Sequence, residues 1–271
     1  MPLPIDFRFS QNNLQDFADC PRRFELKYLL KQDWPALVSE PIQKFEHLQI
    51  LGLRFHTLVQ QNLAGIPIEK LEITLDDPNL ARWWKNYLTF IEKYINSRRC
   101  VEYPQIIHFH NYRLIAKYDL LIFEESGNTI ILDWKTTQFR TTSSVLRNKL
   151  QSLVYPYVLA ESDKESFHPE NVQMVFWFPE FPNDPEVCNY SIKLHKQNEE
   201  FLQEMIDKIA EMNTGEFELT DDERKCKYCI YRSLCDRGIQ AGDLTGKDKD
   251  GVPGSDDTDP LNFNEIEEIE F

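Results

Sequence analysis

The sequence predicts an α/β fold, with a mixed central sheet flanked by helices. Three observations lead there. Helical apolar spacing fills residues 43–64 and 78–99. From Val101 it gives way to short β-branched and aromatic runs separated by turn residues. A further helical segment, 143–161, then runs toward another buried apolar stretch, 171–178.

In order, residues 10–31 open with Ser10 as an N-cap. Leu14, Phe17, Phe24, Tyr28 and Leu30 recur at helical spacing around a break at Pro21, where Cys20 sits. In 43–64 one face carries Phe45, Leu48, Leu51, Phe55, Leu58 and Val59, and His56 lies in the same helix. Residues 78–99 are rich in aromatics: Trp83, Trp84, Tyr87, Phe90 and Tyr94. Segments 101–110, 112–123 and 128–135 form a three-stranded meander. Asp119 stands among Tyr118 and Leu120–Phe123, so it needs a cation, a hydrogen-bonding partner or solvent. The third strand ends in Asp133, Trp134 and Lys135. Strand side chains alternate, so Asp133 and Lys135 share a face. In 143–161 Gln151 and Tyr155 share a helix face, and Pro156 marks a kink or local break. Residues 186–194 read as a strand and 195–213 as a helix. Residues 1–240 are expected to form one domain that includes the cysteine segments. The tail, 241–271, has no core pattern and reads as disordered.

The chain has 271 residues and a formal charge of −15, which taken alone argues against a nucleic-acid partner. The charge is uneven: ten acids and two lysines give the tail −8, leaving −7 for residues 1–240. No apolar run approaches a membrane span, and MPLPIDFRFS lacks a signal-peptide core. A soluble, cytoplasmic protein is expected, with no membrane partner.

Six cysteines are few for a disulfide scaffold of this size, and a reducing compartment would keep them free. Cys226-x2-Cys229-x5-Cys235 is the most specific local signal, because thiolates at that spacing grip one centre from a tight turn. A four-ligand centre needs a fourth cysteine from Cys20, Cys100 or Cys188. Structural zinc and an iron–sulfur cluster both meet the spacing. An isolated D-x-K, by contrast, is most often a surface ion pair.

Taken together, the motifs resemble a known family. DFADCPRRFELKYLL, His56 in LGLRFH, Asp119 in AKYDLL, DWK at 133–135, Gln151-x3-Tyr155 and the three late cysteines occur in that order. The chain is similar to the PD-(D/E)XK nuclease superfamily. Within it, the chain resembles the RecB-like branch with an iron–sulfur cluster, as in the AddB nuclease domain and the CRISPR-adaptation exonucleases. The resemblance spans roughly residues 10–237 and implies a restriction-endonuclease-like core whose N- and C-terminal segments join at a cysteine cluster. It also implies metal-dependent DNA cleavage, exonuclease-like on single-stranded DNA or duplex ends, in repair, recombination or defence. The alternative is an inactive nucleic-acid-binding or scaffold protein of the same fold.

The resemblance assigns roles by position. His56, Asp119, Asp133 and the Trp134 carbonyl match the site for Mg²⁺ or Mn²⁺. Lys135 matches the motif lysine, and Gln151 with Tyr155 the helix that supports the site and the DNA. Cys20, Cys226, Cys229 and Cys235 match four ligands of a [4Fe–4S] cluster. Glu102 takes a supporting place. One departure is Ala116, where the family commonly has Gly three residues before the first acid. The sequence holds no G-x-x-x-x-G-K-[ST] loop, so a helicase motor, or another repair protein, would be a separate partner.

Overall fold

Ser10 caps the first helix as its position suggests. Its hydroxyl accepts from the Asn13 N–H, while the Asn13 side-chain Oδ1 accepts from the Ser10 N–H at 2.9 Å. The computed structural model describes residues 3–4, 6–33, 40–137, 139–226 and 229–238, with the backbone alone for 40–46. The tail 241–271, with its expected disorder, lies outside the described residues.

The elements are β1 (Arg8–Ser10), α1 (Gln11–Asp19), α2 (Pro21–Phe24) running into a π-helical turn (Glu25–Leu29), α3 (Glu40–Leu63), α4 (Ile68–Glu72), α5 (Pro78–Ile91), β2 (Arg98–Phe109), β3 (Tyr112–Phe123), β4 (Thr129–Trp134), α6 (Ser143–Asn148), α7 (Leu150–Ser162), β5 (Val172–Trp177), β6 (Glu186–Asn189) and α8 (Ile192–Glu211). The sheet runs β1-β3-β4-β5-β6, with β2 along the other side of β3. It is mixed: β1 joins β3 and β5 joins β4 in parallel, and the other pairs are antiparallel. The expected restriction-endonuclease-like architecture is thus present.

Four expected boundaries move. The helix from residue 78 stops at Ile91 and a single 3-10 turn, not at 99, because Arg98–Cys100 already pair with β3. The 143–161 segment is two helices, and they break at Lys149 (φ −67°, ψ 142°) rather than at Pro156. Pro156 lies inside α7 among buried neighbours, and packing holds the turn that its missing N–H weakens. The strand from 186 ends at Asn189, because Ser191 caps α8 by accepting from the Leu194 N–H at 3.2 Å. Cys100, expected at a helix edge, lies in β2.

Two apolar cores lie on the two faces of the sheet. One packs α1, α7 and α8 against residues such as Leu114, Ala116, Tyr118 and Leu121. The other packs α3 and α5 against Leu120, Ile122, Leu132 and Trp134. Strict alternation would put Tyr118 and Leu120 on one face, yet they belong to opposite cores. The strand therefore reverses its faces at Asp119. Its partner β2 reverses at the same level, with Ile107 and Phe109 in the first core but Val101 against the second. Between them Glu102 holds a left-handed φ of +48°, which a residue with a Cβ adopts at a cost.

The segment after α8 returns to the chain's beginning. Phe217 stacks on Phe24 and meets Phe17 edge-on, with centroids 5.9 and 6.3 Å apart. Arg22 N–H donates to the Glu218 carbonyl at 3.0 Å. Glu25, fully buried, accepts from the Gly215 N–H at 2.5 Å and pairs with Arg22. Lys225 reaches Asp19 at 3.2 Å. Glu25→Ala should cost about 1.5–3 kcal/mol, since it removes a charge-assisted hydrogen bond from the Gly215 N–H together with the Arg22 pair. It should also open residues 215–237 to limited proteolysis before the rest unfolds. Wild-type melting and digestion of that variant would show that the carboxylate does not hold the two ends together.

Candidate active site

The β3–β4 ladder runs from Phe123↔Thr129 to Leu120↔Leu132 and stops there. Beyond it the Asp119 carboxylate enters the gap and accepts the Trp134 N–H at 3.0 Å. The Trp134 indole is packed edge-on to Tyr87, Phe90 and Trp177, so the backbone at this point is fixed from the far core. On the neighbouring residue Asp133 is buried. Gln151 of α7 clamps this strand end: its Nε2 donates to Asp133 Oδ1 at 2.5 Å, and its Oε1 accepts from Lys135 Nζ at 2.8 Å. Lys135 Nζ also lies 2.8 Å from Asp133 Oδ2, so the shared face expected for these two residues is realised. Tyr155 lies one turn on in the same helix. Its backbone carbonyl accepts from the Tyr118 hydroxyl at 3.1 Å.

His56 approaches from α3, with Nδ1 3.6 Å from Asp119 Oδ2. The sequence reading missed the residue that permits this approach. A Cβ on Gly52 would lie 2.5 Å from Thr136 Oγ1, so glycine lets α3 settle against the loop after β4 one turn before His56. The signal was a glycine in the middle of a long helix, which costs ~1 kcal/mol against alanine and so calls for a packing reason.

The electrostatics are those of two neighbouring carboxyl groups, one of them paired with Lys135. Burial, then the nearby Asp133 charge, push the Asp119 carboxyl well above its usual range. Burial lowers His56 from its ordinary 6.5, leaving a neutral imidazole. Burial, then the same two acids, push Tyr155 well up. Asp133 Oδ2 receives no aligned hydrogen bond, despite the nearby ammonium. One buried and one partly buried carboxylate beside a neutral imidazole suit a hard divalent cation. Among the described residues, no group of three or more His, Cys, Asp or Glu is gathered tightly enough to hold an ion as it stands.

The four cysteines assigned to a cluster are neighbours. Cys20 is buried at the start of α2, and its proximity helps to raise the thiols of Cys226, Cys229 and Cys235; burial is the largest cause at each. Cys229 is pushed up to about 11, against the opposing pull of Arg23. Cys188 instead lies in β6 beside Arg147 and Glu186, and Cys100 packs on the first core.

Compared with protein families, residues 8–236 match the PD-(D/E)XK nuclease superfamily. Among solved structures, a Eubacterium rectale protein described as "Putative exonuclease" is similar in fold. Its TM-score is 0.50 at 11% identity, over 79% of this chain and 84% of that one. The protein SSO0001 aligns with a TM-score of 0.42 at 13% identity, over 86% and 87%. No curated protein matches the chain.

The raised Asp119 carboxyl has a consequence for stability. Below the unfolded value of about 4 both states hold the proton; as pH rises further the unfolded chain releases it while the folded one retains it. Asp119 therefore costs stability progressively toward its raised folded pKa. In chelator, Asp119→Asn should gain stability over wild type as pH rises from about 4 to 8. Denaturation across that range that shows a constant difference would place the retained proton elsewhere.

Proposed function

The chain belongs to the PD-(D/E)XK nuclease superfamily, and from that premise we propose that it is a metal-dependent deoxyribonuclease of the RecB-like, cluster-bearing branch. The observation that carries this reading is the Gln151 amide, which fixes Asp133 and Lys135 to each other beside Asp119. Asp119 and Asp133, with His56 and the Trp134 carbonyl, would hold Mg²⁺ or Mn²⁺. That ion supplies Lewis acidity at a phosphodiester oxygen. Lys135 orients the attacking water and offsets charge that develops on the phosphoryl oxygens. Gln151 and Tyr155 position that lysine and face the DNA.

The substrate in this reading is single-stranded DNA or a duplex end, cut exonucleolytically. The neighbour described as an exonuclease supports that choice. The work is DNA repair, recombination or defence in the cytoplasm, beside a separate helicase or repair protein. No helix among the described residues is long and apolar enough to cross a membrane. The nuclease domain is residues 1–240, and 241–271 is an acidic appendage.

Cys20, Cys226, Cys229 and Cys235 would bind a [4Fe–4S] cluster at the join of the two chain ends, with structural zinc as the other occupant. Its support is the proximity of Cys20 to the other three thiols and of Arg23 to Cys229. The quartet must tighten to take it.

Anaerobic purification, metal analysis and cleavage of end-labelled single- and double-stranded DNA test this reading. Asp133→Ala and Lys135→Ala should each lower cleavage by about a hundredfold or more while the fold melts cooperatively. Undiminished cleavage by Asp133→Ala would end the assignment. Iron at about four per chain, lost in Cys20→Ser and kept in Cys100→Ser, is expected of the cluster. One zinc per chain would keep the staple and reject the iron.

A further inference from the structure

Below the face reversal, the sheet keeps one side bare. At one register level, Arg8 of β1 lies opposite Arg113 of β3, and Arg113 lies opposite His108 of β2. Cross-strand partners share a face, and all three are exposed. The next level up confirms the geometry, because Phe9, Leu114 and Ile107 all turn into the core. Directly opposed like charges destabilise a sheet. Among the described residues no carboxylate comes within salt-bridge distance of Arg8 or Arg113, in a chain of net charge −15. Lys117 continues the same strand face toward the site, where it pairs with Glu102 at 3.2 Å, two residues from Asp119.

We propose that Arg8, Arg113 and His108 form a backbone-binding track that seats the phosphates of a nucleic-acid strand on one side of the reacting phosphodiester. The track rests on the nuclease reading for the identity of its ligand. Six strand steps separate Arg113 from Asp119, about 20 Å. The arginines therefore engage the strand several nucleotides from the cut. The ends of the guanidinium side chains are forked donors that match phosphate oxygens. Contacts of this kind position the strand without reading its bases.

The test compares wild type with Arg8→Gln/Arg113→Gln, and with Lys164→Glu as a control for net charge at a distant exposed lysine. Binding of a labelled oligonucleotide is measured across salt concentrations in calcium or chelator, so that cleavage is not needed. Hydrolysis of bis(p-nitrophenyl) phosphate reports the site alone. The double variant should bind a long strand several-fold more weakly, with the log–log salt slope shallower by about two. It should bind a strand too short to reach the track as wild type does, and should hydrolyse the small diester at the wild-type rate. An unchanged salt slope on the long strand would overturn the track, as would an equal loss in Lys164→Glu. If wild type fails to hydrolyse either substrate, the nuclease reading falls, while the binding comparison still decides the track.

Discussion

The structure depends on a carboxylate that takes the place of a strand. Where β3 and β4 part, Asp119 accepts the Trp134 N–H that a ladder partner would otherwise take. A buried backbone donor must be satisfied, so the gap can open only where a side chain reaches into it. The gap in turn lets β3 switch faces, which sends Tyr118 to one core and Leu120 to the other. It also leaves Asp119 facing Asp133 and His56. The unusual ionisation of the site and the layering of the fold have one origin.

Some of this was legible in the sequence. The D-x-K face, the need of Asp119 for a partner, the Ser10 cap and the Gln151–Tyr155 helix face follow from period and capping rules that act locally. The face reversal was not legible. Alternation is a rule about neighbours in one strand, while the reversal involves two strands at once, with Glu102 across the ladder at φ +48°. Pro156 does not end the helix, for a related reason. The proline removes one hydrogen bond, but nine of the thirteen residues of α7 are buried, and their packing outweighs that loss. The break falls at Lys149, which the pattern does not mark. Gly52 carried a visible anomaly, though its cause, Thr136, lies on another element.

The cysteine region separates what packing supplies from what a bound centre would add. The aromatic stack of Phe217 on Phe24 and the buried Glu25 bring the end of the domain onto its start before any ligand is considered. Burial raises the thiols of Cys226, Cys229 and Cys235 beside Cys20. Any centre bound there would have to displace those protons, a cost that packing alone does not incur.

The Glu25–Gly215 hydrogen bond spans 190 positions of sequence. At a ribosomal pace of about 5–20 residues per second, the partner of that carboxylate emerges roughly 10–40 s after it does. Throughout that interval the α1–α2 hairpin carries an acid that the finished protein seals completely away from water. Arg22, three residues before it, balances that charge from the outset, so the segment can settle early. The arrival of residues 215–218 then adds the contacts that lock the beginning of the protein.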